Sequence, residues 1–266
     1  MSAVNIAPIP DLGQRTDEIT IYAGPCSVES QEQFDEVAEC IADLGLTWVR
    51  GGAFKPRTNP HSFQGLGEEA LKIMKNTSDR LGLKTLTEVM DSAHCELVHS
   101  YVDGLQVGAR NFQNFSLLRK IGQVTADSHK MVLYKRGFAG SIAEWLAGCD
   151  YVTAEGNDNI VLCERGIRTF ETATRFTLDI AAVPVVHKQS LFPICIDVSH
   201  PAGQRDLVPS LAKAAVAAGA DSLMIEVHPN PPAALSDGPQ QLTPDQFRVL
   251  VEELRELAAV LGKKIV

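Results

Sequence analysis

The stretch Arg-Gly-Gly-Ala-Phe-Lys-Pro-Arg-Thr, residues 50–58, joins a short apolar segment to a helical pattern and places three cations within nine residues. Its two glycines let the backbone approach a ligand closely, because no side chain intervenes. Arg50, Lys55 and Arg57 are suited to phosphate or carboxylate oxygens, which guanidinium groups can bind in a bidentate manner. Taken alone, such a segment is typical of a solvated basic turn. Because the segment lies between a predicted strand and a predicted helix, similar polar groups at the other strand ends would favour a functional interpretation.

Outward from this segment, short β-branched runs alternate with longer helical patterns. The predicted strands are residues 19–25, 46–51, 84–89, 104–108, 130–135, 159–163, 193–198 and 221–227. The predicted helices are residues 31–44, 67–81, 92–101, 114–122, 141–148, 170–181, 207–218 and 244–261. Eight strand–helix units predict one α/β domain, a (β/α)8 TIM barrel over residues 19–266, after an N-terminal extension at residues 1–18. An open doubly wound sheet is disfavoured, because no Gly-x-Gly-x-x-Gly turn opens the first helix.

The composition is that of an ordinary globular protein, since 45% of the 266 residues are hydrophobic and 21% are charged. The formal net charge of −9 at pH 7 argues against nucleic acid or an anionic membrane as the partner, and suits a local positive pocket for a small anion. No apolar run reaches membrane-spanning length and no signal pattern is present, so we expect a cytoplasmic protein. The six cysteines lack close spacing, which predicts mostly buried, reduced thiols.

Polar or ionisable side chains follow all eight predicted strands. In a (β/α)8 barrel the carboxyl ends of the strands form one rim, where active sites lie. The side chains at these ends are Cys26 and Ser27, Arg50, Lys55, Arg57 and Thr58, Glu88, Arg110, Lys135 and Arg136, Glu164 and Arg165, Asp197 and His200, and Glu226 and His228, with Asp237 in the last loop. Chance would scatter such residues over both rims, so the pattern favours a functional site.

Two subsets of these side chains predict different chemistry. The cationic subset suits substrates that carry both phosphate and carboxylate groups. Its members are Arg50, Lys55, Arg57, Arg110, Lys135 and Arg165. The second subset, Cys26, His200, Glu226 and Asp237, combines a thiol, an imidazole and two carboxylates, which suits a divalent transition metal better than Mg²⁺. For Cys26 alone, a buried structural thiol would be the simpler interpretation.

Eight ordered motifs carry a resemblance to a known enzyme family. They are Ala-Gly-Pro-Cys-Ser (23–27), the stretch at 50–58, Gln-Val-Gly-Ala-Arg-Asn (106–111), Lys-Arg-Gly (135–137), Glu-Gly-Asn (155–157), Cys-Glu-Arg-Gly-Ile-Arg (163–168), Asp-Val-Ser-His (197–200) and Glu-Val-His-Pro-Asn-Pro (226–231). With them the chain resembles the 3-deoxy-D-arabino-heptulosonate 7-phosphate (DAHP) synthases of the type I beta subgroup, relatives of the 3-deoxy-D-manno-octulosonate 8-phosphate synthases. Lys-Pro-Arg-Thr at residues 55–58 favours the first activity, because the octulosonate enzymes carry an Asn-containing sequence there.

The resemblance implies a barrel that condenses phosphoenolpyruvate with erythrose 4-phosphate, the first step of the shikimate pathway of aromatic amino acid biosynthesis. It implies a divalent metal ion (Mn²⁺, Fe²⁺, Co²⁺ or Zn²⁺) held by the four residues of the second subset, and a homo-oligomer, either a dimer or a tetramer. Residues 1–18 are too short for the regulatory domains that often accompany this family, so we expect no inhibition by aromatic amino acids through such a domain.

The resemblance also implies roles for the rim residues. The substrate-binding residues are Arg110 and Arg165 for the phosphate of phosphoenolpyruvate, Lys55, Lys135 and Arg50 along the rest of that substrate, and Arg57 and Thr58 for the phosphate of erythrose 4-phosphate. The candidate catalytic residues are Lys55, Lys135, His200 and Asp197. Glu88, Asp197 and Lys135 are the candidates for proton transfer, without a ranking among them.

Three other functions fit parts of the pattern. One is a related 3-deoxy-ulosonate phosphate synthase. Another is a barrel aldolase that uses Lys55 or Lys135 as a Schiff-base nucleophile. The last is a sugar-phosphate sensor without turnover, which the complete thiol–imidazole–carboxylate set argues against, since a sensor has no need of a Lewis acid.

Overall fold

Eight parallel strands close into a barrel. The computed structural model describes residues 17–56, 59 and 61–266, so most of the predicted extension at residues 1–18 lies outside the described residues. The strands are β1 (Glu18–Gly24), β2 (Trp48–Arg50), β3 (Lys84–Val89), β4 (Gly104–Val107), β5 (Met131–Lys135), β6 (Ile160–Glu164), β7 (Ile194–Asp197), β8 (Ser222–Glu226) and β9 (Lys264–Ile265). Strands β1 to β8 pair in order and in parallel, and β8 pairs with β1, which confirms the predicted (β/α)8 barrel. The short β9 beside β1 is an addition that the sequence pattern did not predict.

Helices connect the strands and cover the outside of the barrel. They are α1 (Gln31–Asp43), α2 (Glu68–Leu81), α3 (Cys95–Tyr101), α4 (Phe115–Thr125), α5 (Ile142–Thr153), α6 (Ala182–Gln189), α7 (Ser199–Ala202), α8 (Val208–Ala217) and α9 (Pro244–Val260). Local chemistry explains where several begin. Ser141 starts α5 with a reciprocal capping box, and Thr243 does the same for α9, whose first residue is Pro244.

One predicted helix is wrong. Residues 170–181 form an irregular loop, and the helix of this unit begins only at Ala182. Ile167 and Thr177 pair across the loop in an antiparallel bridge, and the hydroxyls of Thr169 and Thr177 lie 2.6 Å apart. Threonine is a weak helix former, and its hydroxyl competes for local hydrogen bonds, so a hairpin-like loop replaces the helix. This long β6–α6 loop crosses the rim of the barrel.

The inside of the barrel is filled with side chains below the rim. Alternate residues of each strand point inward, and their cluster consists of Tyr22, Leu86, Met131, Leu133, Val161, Cys163, Cys195 and Met224. A larger apolar cluster lies between the strands and the helices and includes Trp145 and Phe247. Because the interior is packed, the space for a ligand lies above it, at the carboxyl ends of the strands.

All six cysteines are buried and free, in agreement with the prediction of buried thiols. Within the described part of the chain, none of the helices has the length and apolar character needed to cross a membrane.

Candidate active site

Strand alternation decides which of the predicted rim residues face the barrel interior. On β5, Leu133 belongs to the inward cluster, so Lys135, two residues later, also points inward and lines a rim cavity. The next residue, Arg136, instead forms ion pairs with Glu164 at 3.0 Å and Asp179 at 2.7 Å. Arg136 and Glu164 therefore hold the β5 and β6 ends together rather than lining that rim cavity.

The structure brings Cys26, His200, Glu226 and Asp237 together. Their potential ligand atoms all lie within 4.8 Å of one another, and we call this group the ligand cage. The Sγ atom of Cys26 lies 3.3 Å from Oδ2 of Asp237. The Nε2 atom of His200 lies 3.6 Å from Oε1 of Glu226 and 3.8 Å from the same Asp237 oxygen. This donor set fits a borderline divalent transition ion.

Burial governs the protonation of the cage sulfur. It raises the pKa of the Cys26 thiol to about 12, with a further contribution from the charge of Glu226. Without an ion, the thiol is therefore protonated at neutral pH and donates to Asp237. Lys55 places its Nζ atom 3.1 Å from this sulfur and 2.8 Å from the Cys26 carbonyl oxygen. Binding of a cation would displace the thiol proton, because the thiolate is the form of Cys26 that binds a metal ion.

Asp197 supports the imidazole of the cage. Its Oδ1 accepts a hydrogen bond of 3.1 Å from the backbone N–H of His200. Its Oδ2 lies 2.7 Å from Nδ1 of the ring, which is a close contact between the carboxylate and the imidazole. Burial lowers the pKa of His200 more than Asp197 raises it, which favours the neutral imidazole that metals bind. A carboxylate behind a ligating histidine is a common outer support of metal sites.

Glu226, at the end of β8, is held from both sides. Arg50 donates to its Oε1 at 2.8 Å, and the side chain of Gln240 donates to its Oε2 at 2.6 Å. Its exposure is 0%, so two donors are needed to stabilise a buried carboxylate. Arg50 also donates to the Pro25 carbonyl, and thus ties β2 to the segment before Cys26. Arg50 therefore helps to hold the cage and also lines a narrow rim cavity.

A cavity of about 320 Å³ opens beside the cage. Its lining includes Lys55, Glu88, Arg110, Arg165, His200 and Asp237. A narrower cavity of about 40 Å³ adjoins it, where Arg50, Gln106 and Lys135 also contribute. A wider cleft of about 750 Å³ shares Arg110 but contains no residue of the cage, so the cavity beside the cage is the candidate substrate site.

Arg165 gives this cavity its anion-binding character. Its guanidinium carbon lies 4.1 Å from the ring centre of Phe176 and 4.8 Å from that of Phe138. The side chain is 5% exposed, and Nη1 has no hydrogen-bond partner in the part of the chain that the structure describes. Burying a guanidinium group costs free energy unless an anion accepts its hydrogen bonds. The arrangement therefore favours a phosphate or carboxylate ligand at this point.

Two predicted site residues cannot be placed, because Arg57 and Thr58 lie outside the described residues. Their neighbours Pro56 and Asn59 line the 320 Å³ cavity. Sequence reasoning missed the lining residues Phe138, Arg175 and Phe176. It also missed Gln240, which supports the cage by donating to Glu226. Phe138 follows the Lys-Arg-Gly motif and could have been found there. Arg175 and Phe176 were hidden inside the helix wrongly predicted at residues 170–181.

Comparison with known proteins connects this geometry to one family. The profile of the DAHP synthetase I family matches residues 12–261. The chain is 50% identical to phospho-2-dehydro-3-deoxyheptonate aldolase of Thermotoga maritima over 246 residues, which cover 92% of this chain and 72% of that protein. It is 31% identical to 2-dehydro-3-deoxyphosphooctonate aldolase of Caulobacter vibrioides over 262 residues, covering 90% of this chain and 87% of the relative.

Solved structures give the same result. The crystal structure of phospho-2-dehydro-3-deoxyheptonate aldolase (DAHP synthase) from Thermotoga maritima superposes with a TM-score of 0.90 at 48% identity, covering 94% of this chain and 72% of that one. A truncated form of 3-deoxy-D-arabino-heptulosonate 7-phosphate synthase from the same organism superposes with a TM-score of 0.87 at 45% identity, covering 94% of this chain and 90% of that one.

Proposed function

The chain belongs to the DAHP synthetase I family, and on that premise we propose that its rim site carries out the family's reaction with a bound divalent metal ion. The enzyme condenses phosphoenolpyruvate with erythrose 4-phosphate to give DAHP and phosphate, the first step of the shikimate pathway. The observation that carries the assignment of the site is the ligand cage beside Arg165, whose Nη1 atom lacks a hydrogen-bond partner among the described residues.

Phosphoenolpyruvate takes the deeper, more cationic part of the cavity. Arg165 and Arg110 bind its phosphate, because both line the cavity and Nη1 of Arg165 has no hydrogen-bond partner within the described residues. Lys135 and Lys55 lie along the carboxylate and the bridging oxygen. Lys135 is held by Asp197 at 2.6 Å, so its charge is fixed before the substrate arrives. Such fixed cations orient the substrate and stabilise developing negative charge.

Erythrose 4-phosphate takes the outer part of the cavity, with its aldehyde toward the cage. Its phosphate is bound by Arg57 and Thr58, which follow the cavity-lining Pro56 in the chain. The residues that would hold the metal are Cys26, His200, Glu226 and Asp237. When bound, a divalent ion supplies Lewis-acid polarisation of the aldehyde oxygen.

The chemistry joins two carbons and releases phosphate. C3 of phosphoenolpyruvate attacks the aldehyde carbon, and the aldehyde oxygen takes up a proton. Water adds to C2, and phosphate leaves with cleavage of its bond to that carbon. Glu88, Asp197 and Lys135 all lie at the cavity or directly beneath it and are the groups that transfer protons between water and these oxygens.

A Schiff-base mechanism is disfavoured by the state of Lys135. Burial acts to lower the pKa of this ammonium, but Asp197 raises it above its ordinary value. A protonated lysine is a poor nucleophile. Lys55 donates to the cage sulfur and the Cys26 carbonyl, so two of the three N–H groups of its ammonium form hold the cage and one is left for the substrate.

The test is an assay of phosphate release from phosphoenolpyruvate after complete chelation. We expect no turnover in the chelated enzyme, and recovery with erythrose 4-phosphate when Mn²⁺, Fe²⁺, Co²⁺ or Zn²⁺ is added singly. Turnover that survives chelation would refute the metal-dependent mechanism. Turnover with a five-carbon aldose phosphate in place of erythrose 4-phosphate would indicate the related octulosonate reaction, and borohydride trapping of a lysine would indicate a Schiff base.

We also propose a cellular location and an oligomeric state. We expect cytoplasmic action, because both substrates are phosphorylated metabolites, and fractionation of the source cells tests this. We also expect a dimer or tetramer. Light scattering coupled to gel filtration measures the oligomeric state.

A further inference from the structure

Arg175 reaches the ligand cage from a loop that contributes no ligand to it. Its Nη1 atom lies 3.2 Å from Oδ1 of Asp237 and donates to Oε1 of Gln240 at 2.7 Å. The same Gln240 donates through its amide nitrogen to Oε2 of Glu226 at 2.6 Å. One guanidinium therefore touches one cage residue directly and a second through an amide.

The two carboxylate oxygens of Asp237 face different partners. Oδ1 faces Arg175, whereas Oδ2 faces the Cys26 sulfur at 3.3 Å and the His200 ring at 3.8 Å. A carboxylate with one oxygen held by a guanidinium has lost much of its freedom to rotate. Its other oxygen is thereby directed into the cage.

Asp237 has a less regular backbone than the other cage residues. Its φ is +48°, in the left-handed region that non-glycine residues seldom adopt. It lies in the loop between β8 and α9, and its side chain is the most exposed of the four in the cage, at 24%. Glu226 lies at the end of β8 and His200 lies in α7, and both elements are more rigid supports than a loop.

The chain leaves room for this arginine beside the helix that carries His200. Gly203, which follows α7, has no side chain, and a Cβ built there would lie 2.7 Å from Cβ and 3.5 Å from Cδ of Arg175. The backbone of the loop is also tied to α7, because the Phe176 N–H donates to the Pro201 carbonyl at 3.1 Å. The base of the arginine side chain is therefore placed by packing and a backbone hydrogen bond that do not involve Asp237.

We propose that Arg175 is a positioning residue for the metal site, which orients Asp237 directly and Glu226 through Gln240. The inference rests on the proposed function, because it assumes that the cage binds a divalent ion. The ligand atom that Arg175 contacts is Oδ1 of Asp237, which faces away from the cage, so Arg175 acts through other side chains. Losing an outer support of this kind typically weakens metal binding about 10- to 100-fold.

The experiment titrates the metal-free full chain with Co²⁺ and follows the thiolate-to-cobalt absorption, so the readout does not depend on activity. We expect the dissociation constant of Arg175→Gln to rise about 10- to 100-fold. Arg175→Lys keeps the charge but cannot bridge two oxygens in the same way, and we expect a smaller rise. The matched control is Arg168→Gln, since Arg168 is an exposed arginine of the same loop with its guanidinium carbon 4.9 Å from the Phe138 ring centre.

A dissociation constant for Arg175→Gln within about twofold of the wild type would overturn the inference, as would an equal loss in Arg168→Gln. A merely structural role would lower the thermal midpoint of metal-free Arg175→Gln and leave Arg175→Lys no better, and that pattern would also overturn it. If the wild-type chain gives no thiolate-to-cobalt absorption at all, the proposed metal site fails and the inference fails with it. Normal wild-type binding with an unchanged variant rejects the role of Arg175 alone.

Discussion

The Nζ atom of Lys135 lies 2.6 Å from Oδ2 of Asp197, inside the barrel where both side chains are buried. The same oxygen lies 2.7 Å from the ring of His200. Burial would raise the pKa of Asp197, but His200 and Lys135 together lower it well below its ordinary value, so the carboxylate stays charged. One buried anion thus links a cation proposed for phosphoenolpyruvate to a residue of the proposed metal cage.

Replacing Asp197 with Asn should impair both turnover and metal binding. The amide keeps the shape but loses the charge that fixes Lys135 and supports the imidazole. We expect kcat and the affinity for Co²⁺ to fall about 10- to 100-fold each. The matched control is Asp221→Asn, because Asp221 also pairs with a histidine, His187, at 2.8 Å, but before β8 rather than at the rim. That control should leave both quantities unchanged, and a similar loss in it would contradict the assignment.

Arg165→Lys should weaken phosphoenolpyruvate binding selectively. Lysine retains the charge but not the planar fork, and one charge-assisted hydrogen bond contributes about 1.5–3 kcal/mol. We therefore expect the KM for phosphoenolpyruvate to rise at least about tenfold, with the KM for erythrose 4-phosphate nearly unchanged. Arg168→Lys, which alters an exposed arginine over the same Phe138 ring, is the control in the same steady-state assay. An equal rise in both KM values would argue against a phosphate-specific role for Arg165.

Gly108→Ala should reduce activity without unfolding the barrel. A Cβ at this position would collide with a carboxylate oxygen of Glu88, which lines both rim cavities. The colliding atom is at the end of a flexible side chain, so we expect a lower kcat/KM and a small loss of stability. Gly45→Ala is the converse control. With φ at +68° and open space around it, it should cost about 1 kcal/mol in unfolding free energy and leave the kinetics intact.

His99 should make the fold less stable in mild acid. Burial and the charge of Lys130 lower the pKa of this imidazole below its ordinary value of 6.5. Below about pH 6.5 the folded state then binds fewer protons than the unfolded state. The stability that the neutral imidazole contributes at higher pH is therefore lost as the pH falls from about 6.5 toward the lowered pKa of the folded state. His99→Gln should flatten the decline in unfolding free energy between about pH 7.5 and about pH 5.5, measured by urea denaturation. His61→Gln, on an exposed turn, should leave the decline as it is.

Local signals predicted most of the fold. The alternation of β-branched runs and helical patterns was enough for eight strands, and Thr243 with Pro244 marked the start of α9 correctly. The failure at residues 170–181 has a physical cause, because that segment is shaped by a bridge between Ile167 and Thr177 and by contacts with α7. Such non-local contacts leave no periodic trace in a single sequence.

The sequence alone determined that polar groups stand at every strand end and that one thiol, one imidazole and two carboxylates are among them, since parallel strands put their carboxyl ends on one rim. The tertiary structure decided which of them face one another. Because successive side chains point to opposite faces of a strand, Lys135 points into the cavity and Arg136 points away from it. The β6–α6 loop brings Arg175 to Asp237, 62 positions further along the chain, at 3.2 Å. Distances of that kind depend on barrel closure and loop packing, which bring together residues that no sequence spacing relates.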